Sequence, residues 1–110
     1  DISLPLETLE NFLDEIKQLS SNEIFSFGHL GDGNIHINIV SESNKDKLID
    51  EVYGLLKSHH GSPSAEHGIG QRKKEIWTKF EDYQDKYKLL QTLKKSMDPK
   101  NILSPKVFFE

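Results

Sequence analysis

Hydrophobic residues alternate with other residues through segment 24–40, and an Asp-Gly pair divides this alternation into two halves. A period of two is typical of β-strands, and Asp-Gly between two such runs predicts a β-hairpin with a two-residue turn. One face is expected to be largely aliphatic and to pack against helices: Ile24, Ser26, Gly28, Leu30, Ile35, Ile37 and Ile39. The other face is expected to receive a ligand, and it carries Phe25, Phe27, His29, His36, Asn38 and Val40.

The predicted turn also decides which residues face each other across the hairpin. With Asp32 and Gly33 as the central turn residues, His29 lies directly opposite His36. Directly opposed side chains have Cβ atoms roughly 4.5–5.5 Å apart. This register would therefore allow both imidazoles to bind one metal ion.

Apolar residues recur at helical spacing in four other segments of the chain. They predict helices over about 4–20, over about 44–59, from near 69 through 77, and over about 82–97. The order helix, strand, strand, helix, followed by two C-terminal helices, predicts an α+β fold with an antiparallel sheet. Because a two-stranded sheet is marginal on its own, further strands are expected from sequence N-terminal to residue 1 or from a second copy.

Residues at the ends of these segments are typical of helix boundaries. Ser3 is expected to cap the first helix, with Pro5 in its first turn. Gly61 is expected to follow the end of the second helix, and Asp98-Pro99 to end the fourth. His59 and His60 would then lie at a helix C-terminus, where the helix dipole accounts for them.

The C-terminal segment carries two groups of residues with ordinary structural interpretations. Trp77, Tyr83 and Tyr87 occur at core spacing and are expected to pack in the interior. Arg72-Lys73-Lys74 is expected to form a solvated helix face, with contact to an anionic substrate as the alternative.

Composition limits the classes of function that the chain can have. Its 110 residues, 35% of them hydrophobic, allow one small domain, and no segment reaches transmembrane length. The 14 Lys and Arg residues are scattered among 18 Asp and Glu residues, so nucleic-acid binding is not expected. Because there is no cysteine, any metal site must use His and carboxylate ligands. Segment 1–5 has no initiator Met and no signal-peptide pattern, so the chain is expected to be part of a longer protein, with any targeting segment outside it.

A second candidate for chemistry is the glycine-rich loop over residues 64–70, which contains Glu66 and His67. Glu66 could complete a metal site with two histidines and one carboxylate. Such a site leaves coordination positions open, as catalytic metal centres do. In the alternative interpretation Glu66 caps a helix that begins at Gly68-Ile69, and His67 is solvated.

Three motifs in the same order resemble those of the FAD-linked oxidase family, in its C-terminal part. They are Gly28–His36 (GHLGDGNIH), Ser64–Gly70 (SAEHGIG) and Met97–Lys106 (MDPKNILSPK), and the similarity runs from about residue 25 to residue 107. The family includes D-2-hydroxyglutarate dehydrogenase, D-lactate dehydrogenase and the glycolate oxidase flavoprotein subunit. The chain is most similar to the D-2-hydroxyglutarate and D-lactate branch, which also contains proteins labelled actin-interacting.

The resemblance implies that residues 1–110 are the C-terminal part of a ferredoxin-like substrate domain, the FAD-binding domain being absent from this chain. It implies that His29, His36 and Glu66 bind a divalent metal, Zn or Mn. Asn38 corresponds to a substrate-contacting position, and His67 to a substrate-binding catalytic base. Where the family has Asn-Pro, this chain has Ser104-Pro105, which puts any contact made by that Asn side chain in doubt.

The function implied by the resemblance is FAD-linked oxidation of a small 2-hydroxy acid by a longer enzyme. That enzyme is expected to be intracellular, and mitochondrial in a eukaryote. The chain alone is expected to be inactive because the electron acceptor is missing, and its uncovered strand edges are expected to promote a homo-oligomer. The identities of the 2-hydroxy acid and of the final electron acceptor are left open.

Two alternatives come from other classes of function. A non-catalytic binding or scaffolding module would fit the actin-interacting label. A histidine-triad-like nucleotide hydrolase is suggested by residues 36–39, although Asn38 stands where that chemistry needs a histidine. Metal analysis would separate the dehydrogenase from a scaffold, which needs no metal site.

Overall fold

A computed structural model describes residues 1–20 and 23–107 of the chain. The chain folds as two compact units, the first comprising Asp1–Glu66 and the second beginning at His67. In the part of the chain that the structure describes, no helix has both the length and the apolar character needed to span a membrane.

The first unit contains an antiparallel sheet covered by two helices. Its elements are β1 (Ile2–Ser3), α1 (Leu6–Leu19), β2 (Ile24–His29), β3 (Asn34–Ile39) and α2 (Lys45–Ser58). The strand order is β1-β3-β2, so β3 lies in the centre. The predicted α+β fold, with its antiparallel sheet and its helix, strand, strand, helix order, is confirmed.

One hydrophobic core joins the sheet to both helices of this unit. The buried residues follow the helical and strand periodicities seen in the sequence, and they are Ile2, Leu4, Leu9, Phe12, Ile16, Ile24, Ile35, Leu48, Val52 and Leu56. The residue that follows α2 contacts α1: the ring of His59 meets Phe12 edge-on at 5.8 Å, and its Nε2 lies 2.8 Å from Glu15 Oε2. His59 therefore has a specific partner on α1 in addition to its position at a helix end.

The connection between β2 and β3 differs from the predicted two-residue turn. A 3₁₀ turn over Leu30–Asp32 precedes Gly33, which has a left-handed φ of 69°. The predicted turn type needs positive φ at both central residues, whereas here Asp32 stays in the right-handed 3₁₀ turn. Leu30 is consequently exposed on the turn and does not join the aliphatic face.

This longer connection shifts the register of the hairpin by two residues. Phe27 lies opposite His36, and His29 lies opposite Asn34. The expected direct opposition of His29 and His36 is therefore wrong. Because the shift is an even number of residues, the assignment of side chains to the two faces is unchanged.

The start of the chain forms a strand where a helix cap was expected. Ile2 and Ser3 pair with Ile35 and Asn34 of β3, so Ser3 is a strand residue and supplies no cap. Helix α1 begins at Leu6, with Pro5 at the N-cap position. Residues 2–3 thus provide a third strand from within the chain, whereas further strands were expected from sequence N-terminal to residue 1 or from a second copy.

The second unit contains α3 (Lys74–Lys79) and α4 (Glu81–Met97). As expected, Trp77, Tyr83 and Tyr87 are buried, in a small cluster with Ile69. Helix α3 begins about five residues later than the sequence predicts, because Gly70 has a left-handed φ of 57° that a helix cannot continue through.

In the basic segment Arg72 is exposed, as expected, whereas Lys73 and Lys74 are partly buried. Lys73 is half-buried, and this burial lowers the pKa of its ammonium group.

Ser104, at the position where the resembled family has Asn, has a left-handed φ of 45°. Asn adopts that conformation more readily than Ser does.

Asp98 organises the chain after α4. Its carboxylate accepts hydrogen bonds from the Lys94 side chain and from the backbone N–H groups of Ile102 (3.0 Å) and Leu103 (2.9 Å). The hydrogen bond from Lys94 lowers the pKa of Asp98 most, the two backbone bonds lower it further, and burial opposes them. The buried carboxylate therefore holds residues 98–103 in a tight turn after the expected helix end.

Gly33→Ala should destabilise the first unit. A Cβ at residue 33 would lie 2.1 Å from the carbonyl oxygen of Leu4, in addition to the left-handed φ. The left-handed φ alone should lower the free energy of unfolding of the Ala variant by about 1–2 kcal/mol. Gly54→Ala is the matched control, because Gly54 is helical with open space around it, and there Ala should stabilise by up to about 1 kcal/mol. Urea unfolding followed by circular dichroism should show that the free energy of unfolding falls in Gly33→Ala and rises in Gly54→Ala. Equal changes in the two variants would contradict this explanation.

Asp98→Asn should destabilise the second unit and remove part of its acid sensitivity. Because the folded-state pKa is below the ordinary value of 3.8, the stabilisation is complete above that value and is lost as pH falls below it through the folded pKa. The fluorescence of Trp77, the one tryptophan, reports unfolding in this unit. Asp85→Asn is the control, since Asp85 is 93% exposed beside Lys88. An acid transition of Asp98→Asn identical to that of the control would contradict the prediction.

Candidate functional site

The face of the sheet opposite the core carries the chemical groups expected from the sequence. Phe25 and Phe27 are more than half exposed on it, at 54% and 57%, and Asn38 lies opposite Phe25. His36 lies on the same face in the central strand. The aromatic, histidine-bearing face is therefore confirmed. The aliphatic face is confirmed for the four isoleucines, whereas Ser26 and Gly28 are exposed and Leu30 lies on the turn.

Three side chains of the first unit converge at one place on this face. His36 Nε2 lies 3.8 Å from Glu66 Oε1. A carboxylate oxygen of Asp1 joins them, so that one ligand atom from each of the three residues lies within 4.8 Å of the others. These residues come from β3, from the loop after α2 and from the residue before β1.

The imidazole of His36 is held by its neighbours in the sheet. Phe27, directly across the strand pair, stacks on it with ring centroids 5.2 Å apart and planes 21° from parallel. On the other side of β3, the register Ile2↔Ile35 extends by one residue to place Asp1 beside His36. His36 is therefore half-buried between an aromatic ring and a carboxylate, with Nε2 directed toward Glu66.

Glu66 reaches this place because the loop after α2 is tied to β1. The backbones of Ser3 and Ser62 exchange two hydrogen bonds, of 3.1 and 2.8 Å. Gly61 permits this close approach, since a Cβ there would lie 2.9 Å from the carbonyl oxygen of Ser3. Asp1 then accepts hydrogen bonds from the backbone N–H groups of Ala65 and Glu66.

The donor atoms of this cluster suit a divalent cation. Ligands at about 2.0–2.2 Å from Zn²⁺ in tetrahedral geometry lie roughly 3–4 Å from each other, and the His36–Glu66 separation is in this range. The carboxylates of Asp1 and Glu66 carry like charge within 4.8 Å, which costs on the order of 1 kcal/mol in water and more at lower effective dielectric. A bound cation would attract both carboxylates and so make the net electrostatic energy of the cluster favourable.

The other site residues expected from the sequence are not members of this cluster. His29 is exposed at the end of β2. As the partner of Asn34, it is a diagonal neighbour of His36 on the same face, a separation of roughly 7–8 Å that long side chains can still bridge. Asn38 is exposed two residues after His36. His67 is exposed and begins the second unit.

Two residues of this region were missed by sequence reasoning. Asp1 lies outside every motif, and no sequence signal marks it, because its place follows from the pairing of the two-residue strand β1 with β3. Asn34 is buried on the same face as His36, and its Oδ1 has no hydrogen-bond partner in the described part of the chain. Buried polar atoms are normally paired, so this acceptor is an exception.

Comparison with known proteins identifies the group to which the chain is related. The family model described as FAD linked oxidases, C-terminal domain, matches residues 1–107. The chain belongs to this family. The resemblance carried by the three sequence motifs is therefore confirmed.

Curated relatives narrow the similarity within the FAD-linked oxidase family. D-2-hydroxyglutarate dehydrogenase of Arabidopsis thaliana is 38% identical, and that of Bos taurus is 36% identical, each over 96% of this chain. A putative D-lactate dehydrogenase of Schizosaccharomyces pombe is 34% identical over 96% of the chain. All three are named as mitochondrial. The chain spans about a fifth of the length of these relatives, at 20%, 20% and 23%.

Proposed function

We propose that this chain is the metal-binding part of an FAD-linked dehydrogenase that oxidises a D-2-hydroxy acid of the D-2-hydroxyglutarate or D-lactate type. The observation that carries the proposal is the convergence of His36 and Glu66 on an exposed face of the sheet, 3.8 Å apart. Both residues lie in motifs that carry the resemblance to the family, and the named relatives are dehydrogenases of these two substrates.

The cation is held by His36 and Glu66 in this proposal, with His29 as a further ligand. His29 comes from the same motif and lies on the same face as His36. Zn²⁺ and Mn²⁺ both accept imidazole and carboxylate ligands. When bound, the cation would supply Lewis-acid polarisation of the substrate carboxylate and hydroxyl oxygens.

The other residues that the resemblance singles out act on the substrate itself in this proposal. Oxidation of a 2-hydroxy acid to a 2-oxo acid removes the hydroxyl proton, together with the C2 hydrogen and its two electrons. His67, which follows Glu66 in the chain, accepts the hydroxyl proton at a ring nitrogen. The carboxamide of Asn38 donates a hydrogen bond to a substrate oxygen, and Phe25 and Phe27 limit the access of water.

FAD supplies the acceptor for the hydride, and it would be bound by sequence outside this chain. The exposed aromatic face is the surface that the flavin-bearing domain would cover. The chain alone should consequently turn over no substrate. The expected homo-oligomer, and a mitochondrial location in a eukaryote, remain parts of the same proposal.

His36→Asn should lower the divalent-metal affinity of the full-length protein. Replacing groups that merely support a metal ligand typically costs 10–100-fold in affinity, so loss of a ligand should cost at least about as much. Elemental analysis should find Zn or Mn in the unsubstituted protein and a reduced content in the variant. Anaerobic addition of D-2-hydroxyglutarate or D-lactate should reduce the flavin of the unsubstituted protein faster than that of the variant.

His60→Asn is the matched control for the metal prediction. His60 is exposed, and Asn tolerates its positive φ of 58°. This variant should retain metal and flavin reduction. An unsubstituted protein that holds no divalent metal, and whose flavin reduction is unaffected by chelators, would overturn the proposed function.

His67→Asn should lower turnover while metal and flavin stay bound. A positioned general base contributes typically about 10²–10⁴-fold, so kcat in the full-length enzyme should fall on that scale. Metal content and flavin absorbance of the purified variant are measured in parallel, because His67 neighbours a proposed ligand. Unchanged kcat, or loss of activity only through loss of metal, would show that His67 is not the base.

A further inference from the structure

Asp1 joins three segments of the first unit through one carboxylate group. Its Oδ2 accepts a hydrogen bond from the N–H of Ala65 (3.2 Å), and its Oδ1 accepts a longer one from the N–H of Glu66 (3.4 Å). The same carboxylate lies within 4.8 Å of the ligand atoms of His36 and Glu66. A single side chain thus contacts both the loop and the ligand cluster.

The place of Asp1 follows from the pairing of β1. Ile2 is buried opposite Ile35, and side chains alternate along a strand. Asp1 is therefore directed to the opposite face, where His36 lies. Ser3 and Ser62 exchange two backbone hydrogen bonds, which anchor the loop on the same strand. Three and four residues later, the backbone N–H groups of Ala65 and Glu66 donate to Asp1 and attach the loop a second time.

The hydrogen bonds that Ala65 and Glu66 donate to Asp1 affect the position of the Glu66 side chain. The side chain of Glu66 is about half exposed, so packing contributes little to its orientation. A backbone N–H that donates to a carboxylate makes a charge-assisted hydrogen bond, and the two bonds here are long for this class, at 3.2 and 3.4 Å. The bonds to Ala65 and Glu66 fix the backbone from which the Glu66 carboxylate extends toward His36.

We propose that Asp1 is a positioning residue, whose carboxylate holds the Glu66 loop against β1 and thereby raises the affinity of the His36–Glu66 pair for a divalent cation. The negative charge of Asp1 adds to this affinity through its proximity to the cluster. The inference rests on the proposed function, because it assumes that the pair binds a cation.

The test compares Asp1→Asn with Asp1→Glu in the full-length, FAD-bound protein. Asn keeps one acceptor oxygen but loses the charge and replaces the second oxygen with a donor. Mn²⁺ titration by calorimetry should show affinity reduced about 10–100-fold in Asp1→Asn and partly restored in Asp1→Glu. Asp14→Asn is the control, because Asp14 is 63% exposed in the same unit, and it should bind Mn²⁺ as the unsubstituted protein does.

Turnover at different Mn²⁺ concentrations separates positioning from a general loss of structure. Excess Mn²⁺ should restore the kcat of Asp1→Asn to near the unsubstituted value, since His36, Glu66 and His67 remain. Wild-type Mn²⁺ affinity in Asp1→Asn, or a kcat that excess Mn²⁺ does not restore, would overturn the inference. Failure of the proposed function would be distinguishable, because the unsubstituted protein itself would then bind no Mn²⁺.

Hydrogen exchange on the unsubstituted protein gives a second test that needs no variant. The amides of Ala65 and Glu66, which donate to Asp1, should exchange more slowly than that of Gly31, which is exposed on the turn between β2 and β3. Further slowing of Ala65 and Glu66 exchange on addition of Mn²⁺ would support coupling between the loop and the site. Rapid exchange of both amides, with and without Mn²⁺, would overturn the inference.

Discussion

The antiparallel pairing of β1 with the central strand β3 is the constraint on which both the core and the candidate site depend. It places Ile2 against Ile35 on the core side, where both are almost fully buried. One residue earlier, the same pairing brings Asp1 beside His36 on the opposite face. A slip of one residue would exchange the two faces, so burial of an aliphatic side chain also determines where a carboxylate meets the imidazole.

Periodicity was sufficient to predict most of the first unit. The stripe containing Leu9, Phe12 and Ile16 is buried as expected, and the two faces of the hairpin are correct. The register was not predictable from the Asp-Gly pair, because that pair fits more than one turn and only Gly33 adopts positive φ. Strand β1 was also missed, since two residues are too few to show a period and their burial depends on a partner more than thirty positions away.

The candidate site shows the same division between local and long-range information. His36 and Glu66 could be found from their motifs, whereas Asp1 contributes through hydrogen bonds to backbone groups 64 and 65 positions away. Backbone N–H groups carry no sequence signal, so a residue that binds them is not evident from side-chain patterns. The cluster also brings two carboxylates within 4.8 Å of each other, and their like charges repel.

Direct location of a metal in crystals of the full-length protein tests this account most sharply. Anomalous scattering recorded on either side of the Mn or Zn absorption edge identifies the element and its position. The account predicts a peak about 2.0–2.2 Å from both His36 Nε2 and a carboxylate oxygen of Glu66. A fully occupied metal elsewhere in the protein, with His36 and Glu66 not among its ligands, would contradict it.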